Sequence, residues 1–450
     1  MGLAATSALV SVVIVSGCHR PNPRHPAPKP ASVSAAALQW SVLDFHAGTV
    51  RVLFKRSPGK KVVAVRLYFN GGTRNLTDEN AGIEELTLST MELGGSLHYP
   101  LDKMMRSLAQ DGIQLYTAAG QDYSVVAVKT PKGAFSRAWS ILTDLVLHPN
   151  LGGIALEVQR RRLLAAIASR YDRPDGAAIL LLEKVFFAGH PYARRQMGTA
   201  ANVKRFTARD LRSYYHDTLL DPHRMLLVIT GDLEPDQVRA LATQAFGDLE
   251  APDRPVPPMP EPTPHPTSVT YVPRDIPTNY LLAYFPAPRP GRRAWAAWKV
   301  ATAWLSDKLF DELRTKRRLC YAVSADLSVR QANIGYIYLS TRQPRRALAL
   351  TLATIKRLAA QGISAQDIQA VRRVQTTEYL LGLQTQSAQA RLLARAALTA
   401  GSTKWALNSP AEIEAVQPRD VKRALEAMTR SLQILVLGPK SVSNAVLAPR

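Results

Sequence analysis

Few residues in this chain are spaced to do chemistry, and the stretch that comes nearest is "AGIEELTLSTMELGG", residues 81–95. A glycine near its start, an amphipathic run and a closing pair of glycines predict a short helix with capped ends. Residues at i, i+3, i+4 and i+7 share a helical face, which here carries Glu85, Leu88, Ser89 and Glu92. Glu85 is a possible metal ligand, with His98 nearby in sequence. Leucine cannot take a proton from water, however, and serine is a poor neutral ligand for zinc. The chain has nine histidines, and no two stand at i and i+4. Its two cysteines, Cys18 and Cys320, offer no thiolate cluster. Ser, His and Asp form no triad-like grouping, and no stretch reads as a phosphate-binding loop.

The elements that must position this helix follow from hydrophobic period and turn residues. "VRVLFKR" (50–56) and "KVVAVRLYFNGG" (61–72) read as strands separated by "SPGK". Past the helix come a second helix, a glycine turn and two strands within "MMRSLAQDGIQLYTAAGQDYSVVAVKT", then helical runs over 131–149 and 156–174. "RMLLVITGDLEPDQVRALATQAFG" (224–247) reads as a buried strand followed by a helix. The order then recurs: a strand in "TNYLLAYFPAPRPG", a long helix over 294–319, two strands in "YAVSADLSVRQANIGYIYLSTR", two further helical runs, and a last buried strand at 432–441. The endings "LLVITGDL" and "LQILVLGP" hold equivalent places, so the chain reads as a duplicated unit. Strands cluster instead of alternating with helices, which predicts an α+β fold: two homologous domains, each a mainly antiparallel sheet covered by helices.

At 450 residues the chain suits two domains of roughly 200 residues each. Residues 1–17 read as an export signal, an uncharged apolar run ending in "VSGC". Cys18 there is a candidate for lipidation, and a cleaved signal with an incidental cysteine is the alternative. Residues 18–38 form a Pro-rich tether, 39–250 the first domain, 251–268 a Pro-rich linker, and 269–450 the second domain. A formal net charge of +22 would steer the protein toward anionic surfaces. The basic residues are scattered, and the densest groups, "RTKRR" and "QRRR", fall inside helical patterns. No nucleic-acid-binding module is present, and a solvated Arg-rich surface accounts for the charge.

The order "VRLYFNGGTRN…ENAGIEELTLSTMELGG", followed by "GHPYAR…MGT…F…DL…YY…PHRMLLVITGDL", resembles the insulinase/pitrilysin zinc peptidases, the bacterial relatives of the mitochondrial processing peptidase above all. The resemblance runs from about residue 40 to 440 and implies a clamshell half of two related domains. Catalysis in that family needs His-x-x-Glu-His on a helix, two histidines for zinc and a glutamate to activate water, with a second helix supplying a third ligand. Laid on this chain, the first histidine falls on Glu85, the base on Leu88, the second histidine on Ser89 and the third ligand near Ala166. The resemblance therefore implies a non-catalytic member that binds no metal, with zinc in a partner chain.

In "LFDELRTKRRLCYAVSADLS" (309–328), Arg314 and Tyr321 match a family pair that binds substrate backbone and steadies the tetrahedral oxyanion. Helix capping and strand packing are the alternative for that pair. Arg317 and Arg318 stand beside it, where relatives commonly carry a glycine. His190 matches a family loop position and reads as structural. The expected function is the non-catalytic subunit of a heteromeric envelope zinc peptidase, holding an unfolded peptide with a zinc-bearing homologue. The expected location is the periplasmic side of a bacterial envelope, lipid-anchored, with the outer membrane preferred because His19 is not the acidic residue of inner-membrane retention. A catalytically dead peptide-binding or assembly scaffold is the alternative.

Overall fold

The computed structural model describes residues 40–250 and 255–442. Cys18 and the 18–38 tether lie outside them. In chain order the first half comprises β1 (Val42–Ala47), β2 (Val50–Arg56), β3 (Val62–Asn70), α1 (Ile83–Gly94), α2 (Leu101–Gln110), β4 (Gln114–Ala118) and β5 (Tyr123–Pro131). It continues with α3 (Phe135–Leu147), α4 (Gly153–Asp172), α5 (Pro174–Phe186), α6 (Ala200–Arg205), α7 (Ala208–Tyr214), β6 (Met225–Gly231) and α8 (Pro235–Phe246). The second half comprises β7 (Ser268–Pro273), β8 (Asn279–Pro286), α9 (Trp295–Leu309), β9 (Cys320–Leu327), β10 (Ile334–Thr341), α10 (Pro344–Gln361), α11 (Ala365–Leu381), α12 (Gln386–Arg395), α13 (Thr403–Glu414), α14 (Pro418–Met428) and β11 (Gln433–Gly438).

The sheets have orders β1-β2-β6-β3-β5-β4 and β7-β11-β8-β10-β9. Leaving out β1, the two are the same arrangement in the same chain order. In each, the last strand inserts between the first two, parallel to the first and antiparallel to the second. All other pairings are antiparallel. The duplicated α+β unit is thus present in the backbone. β2 and β3, separated by "SPGK", do not pair with each other, because β6 lies between them. Every residue of β6 and of β11 is buried, as their unbroken apolar runs require of a strand covered on both faces.

Several elements depart from the sequence expectation. The helical run over 156–174 ends at Asp172, because Pro174 forces Arg173 into an extended conformation (φ −78°, ψ 123°) and then opens α5 as its first residue. β7 starts at Ser268, inside the expected linker. Five helices, not two, separate β10 from β11.

Period-2 alternation splits each sheet into two apolar faces. On the first sheet, Val52, Phe54, Val65, Leu67, Val126, Val128, Leu227 and Ile229 join the core formed with α1, α3 and α8. The opposite face, with Leu53, Tyr68, Val125, Ala127, Leu226 and Val228, is covered by Ala390, Leu393 and Ala394 of α12, a helix of the second half. The second sheet receives the reciprocal gift. Leu282, Tyr284, Tyr338, Leu435 and Leu437 are covered by Ala177, Ala178, Leu182 and Phe186 of α5, a helix of the first half. α12 lies on β3 and β6, and α5 on β8 and β11, which are the equivalent strand pairs. Leu182 is 1% exposed. Leu182→Ala should cost about 2–5 kcal/mol, and hydrogen exchange should show lost amide protection in β8 and β11 although the substitution lies in the other half of the chain.

Candidate functional site

α1 is built as its composition demands. Gly82 caps its start at φ 96° and Gly95 follows its end at φ 67°, both in the region that favours glycine. Glu84 and Glu85 occupy the first turn, where carboxylates meet the helix dipole favourably. α1 packs along α4, and this helix pair carries Glu85, Leu88, Ser89 and Ala166, the four positions that the resemblance assigns to a degenerate metal site.

The residues present do not fit a zinc ion. Leu88, 1% exposed, is part of the hydrophobic core. Ser89 Oγ donates to the carbonyl of Leu86 in its own helix, 3.2 Å away. Ala166 is exposed and has no donor atom. Glu85 is partly buried, and Gln196 Nε2 donates to its Oε2 at 3.4 Å while also donating to the carbonyl of Ala119. Among the described residues no group of three or more His, Cys, Asp or Glu could hold a metal ion. His98 does not turn toward Glu85: its Nδ1 pairs with Asp144 Oδ1 at 2.7 Å. His190 accepts from the Tyr192 amide through Nδ1 and donates from Nε2 to the carbonyl of Pro260, both at 3.0 Å, while burial lowers its pKa.

Carboxylates dominate the electrostatics of α1. Burial pushes the Glu85 carboxyl up to about 7, with the neighbouring Glu84 and Glu92 adding to the rise. Glu84 is fully buried and accepts from the hydroxyls of Ser124 and Tyr214. Glu92 accepts from the Thr117 amide at 2.6 Å and the Thr117 hydroxyl at 2.8 Å, so it ties α1 to the edge strand β4.

Arg314 and Tyr321 sit together in the second half. A π-helical turn over Phe310–Lys316 continues α9 and carries Arg314, whose guanidinium lies 5.4 Å from the Tyr321 ring centroid and 5.1 Å from that of Phe310. Tyr321 lies on β9, the edge strand of its sheet, and is 81% exposed. Between them Arg318 adopts a left-handed φ of 53°, the one such non-glycine among the described residues. The long helix expected to reach residue 319 therefore stops short, with Arg317 as its cap.

Residues that single-sequence reasoning passed over join the halves. Asp122, in the turn between β4 and β5, accepts from the Tyr192 hydroxyl and, at 3.0 Å, from the amide of Gln331 in the β9–β10 loop. Arg330 of the same loop donates to Gln121 Oε1 at 2.6 Å and pairs with Glu183 of α5 at 3.5 Å. Its guanidinium lies over Phe187 and Tyr192, 5.9 and 5.6 Å from their centroids. A loop aspartate and a loop arginine 208 positions apart carry no local pattern that would pair them.

A duplicated α+β unit, with α1 packed along α4 in its first half, defines a peptidase-like protein. Residues 51–200 match the family described as Insulinase (Peptidase family M16), and residues 205–374 match the Peptidase M16 inactive domain. The chain belongs to the insulinase (M16) family as a non-catalytic member. It is 25% identical over 418 residues to an uncharacterized zinc protease of Mycobacterium tuberculosis, covering 87% of this chain and 92% of that one. Its fold is similar to the crystal structure of a peptidase M16 inactive domain from Pseudomonas fluorescens, with TM-score 0.82, 18% identity, and coverage of 90% of this chain and all (100%) of that one. It is also similar to the periplasmic protease PqqL of Escherichia coli, with TM-score 0.75, 16% identity, and coverage of 94% of this chain and 48% of that one.

Two measurements check the site. Since Glu85 binds its proton more tightly folded than unfolded, its presence destabilises the protein increasingly as pH rises from its ordinary 4.5 to about 7, and constantly above. Glu85→Gln should therefore match the native protein at pH 4 and exceed it on the order of 2 kcal/mol at pH 8, in denaturant titrations at both pH values. Arg318→Gly should raise stability by about 1 kcal/mol by relieving the left-handed backbone, read as a higher urea midpoint at unchanged slope.

Proposed function

We propose that this chain is the non-catalytic subunit of a heteromeric zinc peptidase of the bacterial cell envelope. In this reading a zinc-bearing homologue supplies the metal and the water-activating base. This chain contributes cavity wall for an unfolded peptide together with Arg314 and Tyr321. A guanidinium and a phenol are strong donors that suit a peptide carbonyl and the oxyanion formed when it is attacked.

The observation that carries the reading is the contrast between the two former halves of the chemistry. At the hydrolytic positions, Leu88 is packed in the core and Ala166 has no polar atom, whereas Arg314 and Tyr321 remain stacked on each other at an exposed sheet edge. A tyrosine that is 81% exposed gains little from packing, which weighs against the purely structural role for the pair. In the same reading Cys18 is lipidated and becomes the mature N-terminus. The Pro-rich tether then holds the body on the periplasmic side of the membrane, the outer membrane in preference to the inner. No helix among the described residues is long and apolar enough to cross a membrane, so attachment would rest on that anchor. The periplasmic location printed for the Escherichia coli neighbour accords with an envelope site.

Co-purification from native envelopes, with zinc content and peptidase activity measured on the isolated chain and on the complex, tests the assignment. Zinc and chelator-sensitive activity are expected in the complex alone. In the reconstituted pair, Arg314→Ala and Tyr321→Ala should each lower kcat by about 100-fold. Undiminished hydrolysis by those variants would leave this chain as a peptide-binding or assembly scaffold.

A further inference from the structure

A cavity of about 320 Å³ lies where the halves meet, between α5, the β9–β10 loop, the β4–β5 turn and the face of the second sheet that α5 covers. That volume is at the small end of the range for sites that enclose small molecules. The walls are of two kinds. Tyr284, Tyr336 and Tyr338, with Ile179 of α5, supply rings and aliphatic surface. Asp175, Glu183 and Arg395 bring charge of both signs to the same space.

The charges are unequally satisfied. Asp175 accepts from the Tyr338 hydroxyl at 2.7 Å through one oxygen. Glu183 meets Arg330 only at 3.5 Å, while Arg330 directs its shorter bond to Gln121. Arg395, the last residue of α12, has a buried Nε with no hydrogen-bond partner. A buried donor left unpaired costs about 1–3 kcal/mol, more when it is charged. A carboxylate is the group that satisfies a guanidinium best, through two parallel hydrogen bonds. An ammonium group would in turn complete the weakly paired Glu183 and the free oxygen of Asp175.

We propose that this cavity binds an apolar α-amino acid. Its carboxylate rests on Arg395, its ammonium group lies toward Glu183 and Asp175, and its side chain lies among the tyrosines. Because the walls come from both halves, binding would also strengthen their junction. The site does not include the Arg314–Tyr321 pair, and although its lining residue Gln196 also reaches Glu85 of α1, its test does not depend on the partner-subunit reading.

Calorimetric titration and thermal melting of the purified full chain test this, with L-phenylalanine as the probe and phenylacetate and phenethylamine as its one-charge analogues. L-Phenylalanine should bind and raise Tm, and each analogue should bind roughly tenfold or more weakly. Arg395→Gln should lose most of the affinity for L-phenylalanine while keeping what affinity there is for phenethylamine. Ile179→Trp, which fills the cavity from α5, should abolish binding without lowering Tm and serves if the Arg395 variant does not fold. Absence of binding to the native chain, phenylacetate binding as tightly as L-phenylalanine, or unchanged affinity in Ile179→Trp would each overturn the proposal.

Discussion

Each sheet of this protein has a second apolar face that its own half of the chain leaves bare. α12 covers it on the first sheet and α5 on the second, in equivalent positions on equivalent strands. Burial of apolar surface contributes about 25 cal/mol per Å², and an uncovered sheet face would be an association surface. Neither half therefore presents a finished core without the other. The small side chains of α12, Ala390 and Ala394 beside Leu393, let that helix sit close on the strands. α5 reaches its sheet with Leu182 and Phe186. Asp122 with Gln331, and Arg330 with Gln121, add polar contacts between the halves.

The same reasoning explains what holds α1 in place. Ile83, Leu86, Leu88 and Met91 belong to the core of the first half, and Glu84 and Glu92 are bonded to Ser124, Tyr214 and Thr117 on other elements. A helix that carries so much packing is retained by stability alone. Glu85 on the same helix is enclosed, and its raised pKa reflects that enclosure.

Much of this was legible in the residues. The unbroken apolar runs of β6 and β11, the glycines around α1 and the recurrence of strand and helix order each have a local physical cause, and each reappears in the backbone. That Leu88, Ser89 and Ala166 carry no imidazole, thiol or carboxylate is read directly from the residues. The helical run expected over 156–174 stops where Pro174 opens α5, so α5 itself was not anticipated. The left-handed turn at Arg318 gave no local sign either, since arginine does not favour that conformation.

The residues alone determined what lies along the chain: the strands and their burial, the duplicated order, and a glycine-flanked helix that carries no histidine. Those are consequences of side-chain chemistry and short-range period, which act within a few positions. Tertiary structure decided which half covers which sheet, that Asp122 meets Gln331, and that Asp175, Glu183 and Arg395 surround one cavity. These are meetings between residues far apart in sequence. They come about because two bare sheet faces must each be buried, and the helix that best fills each belongs to the other half.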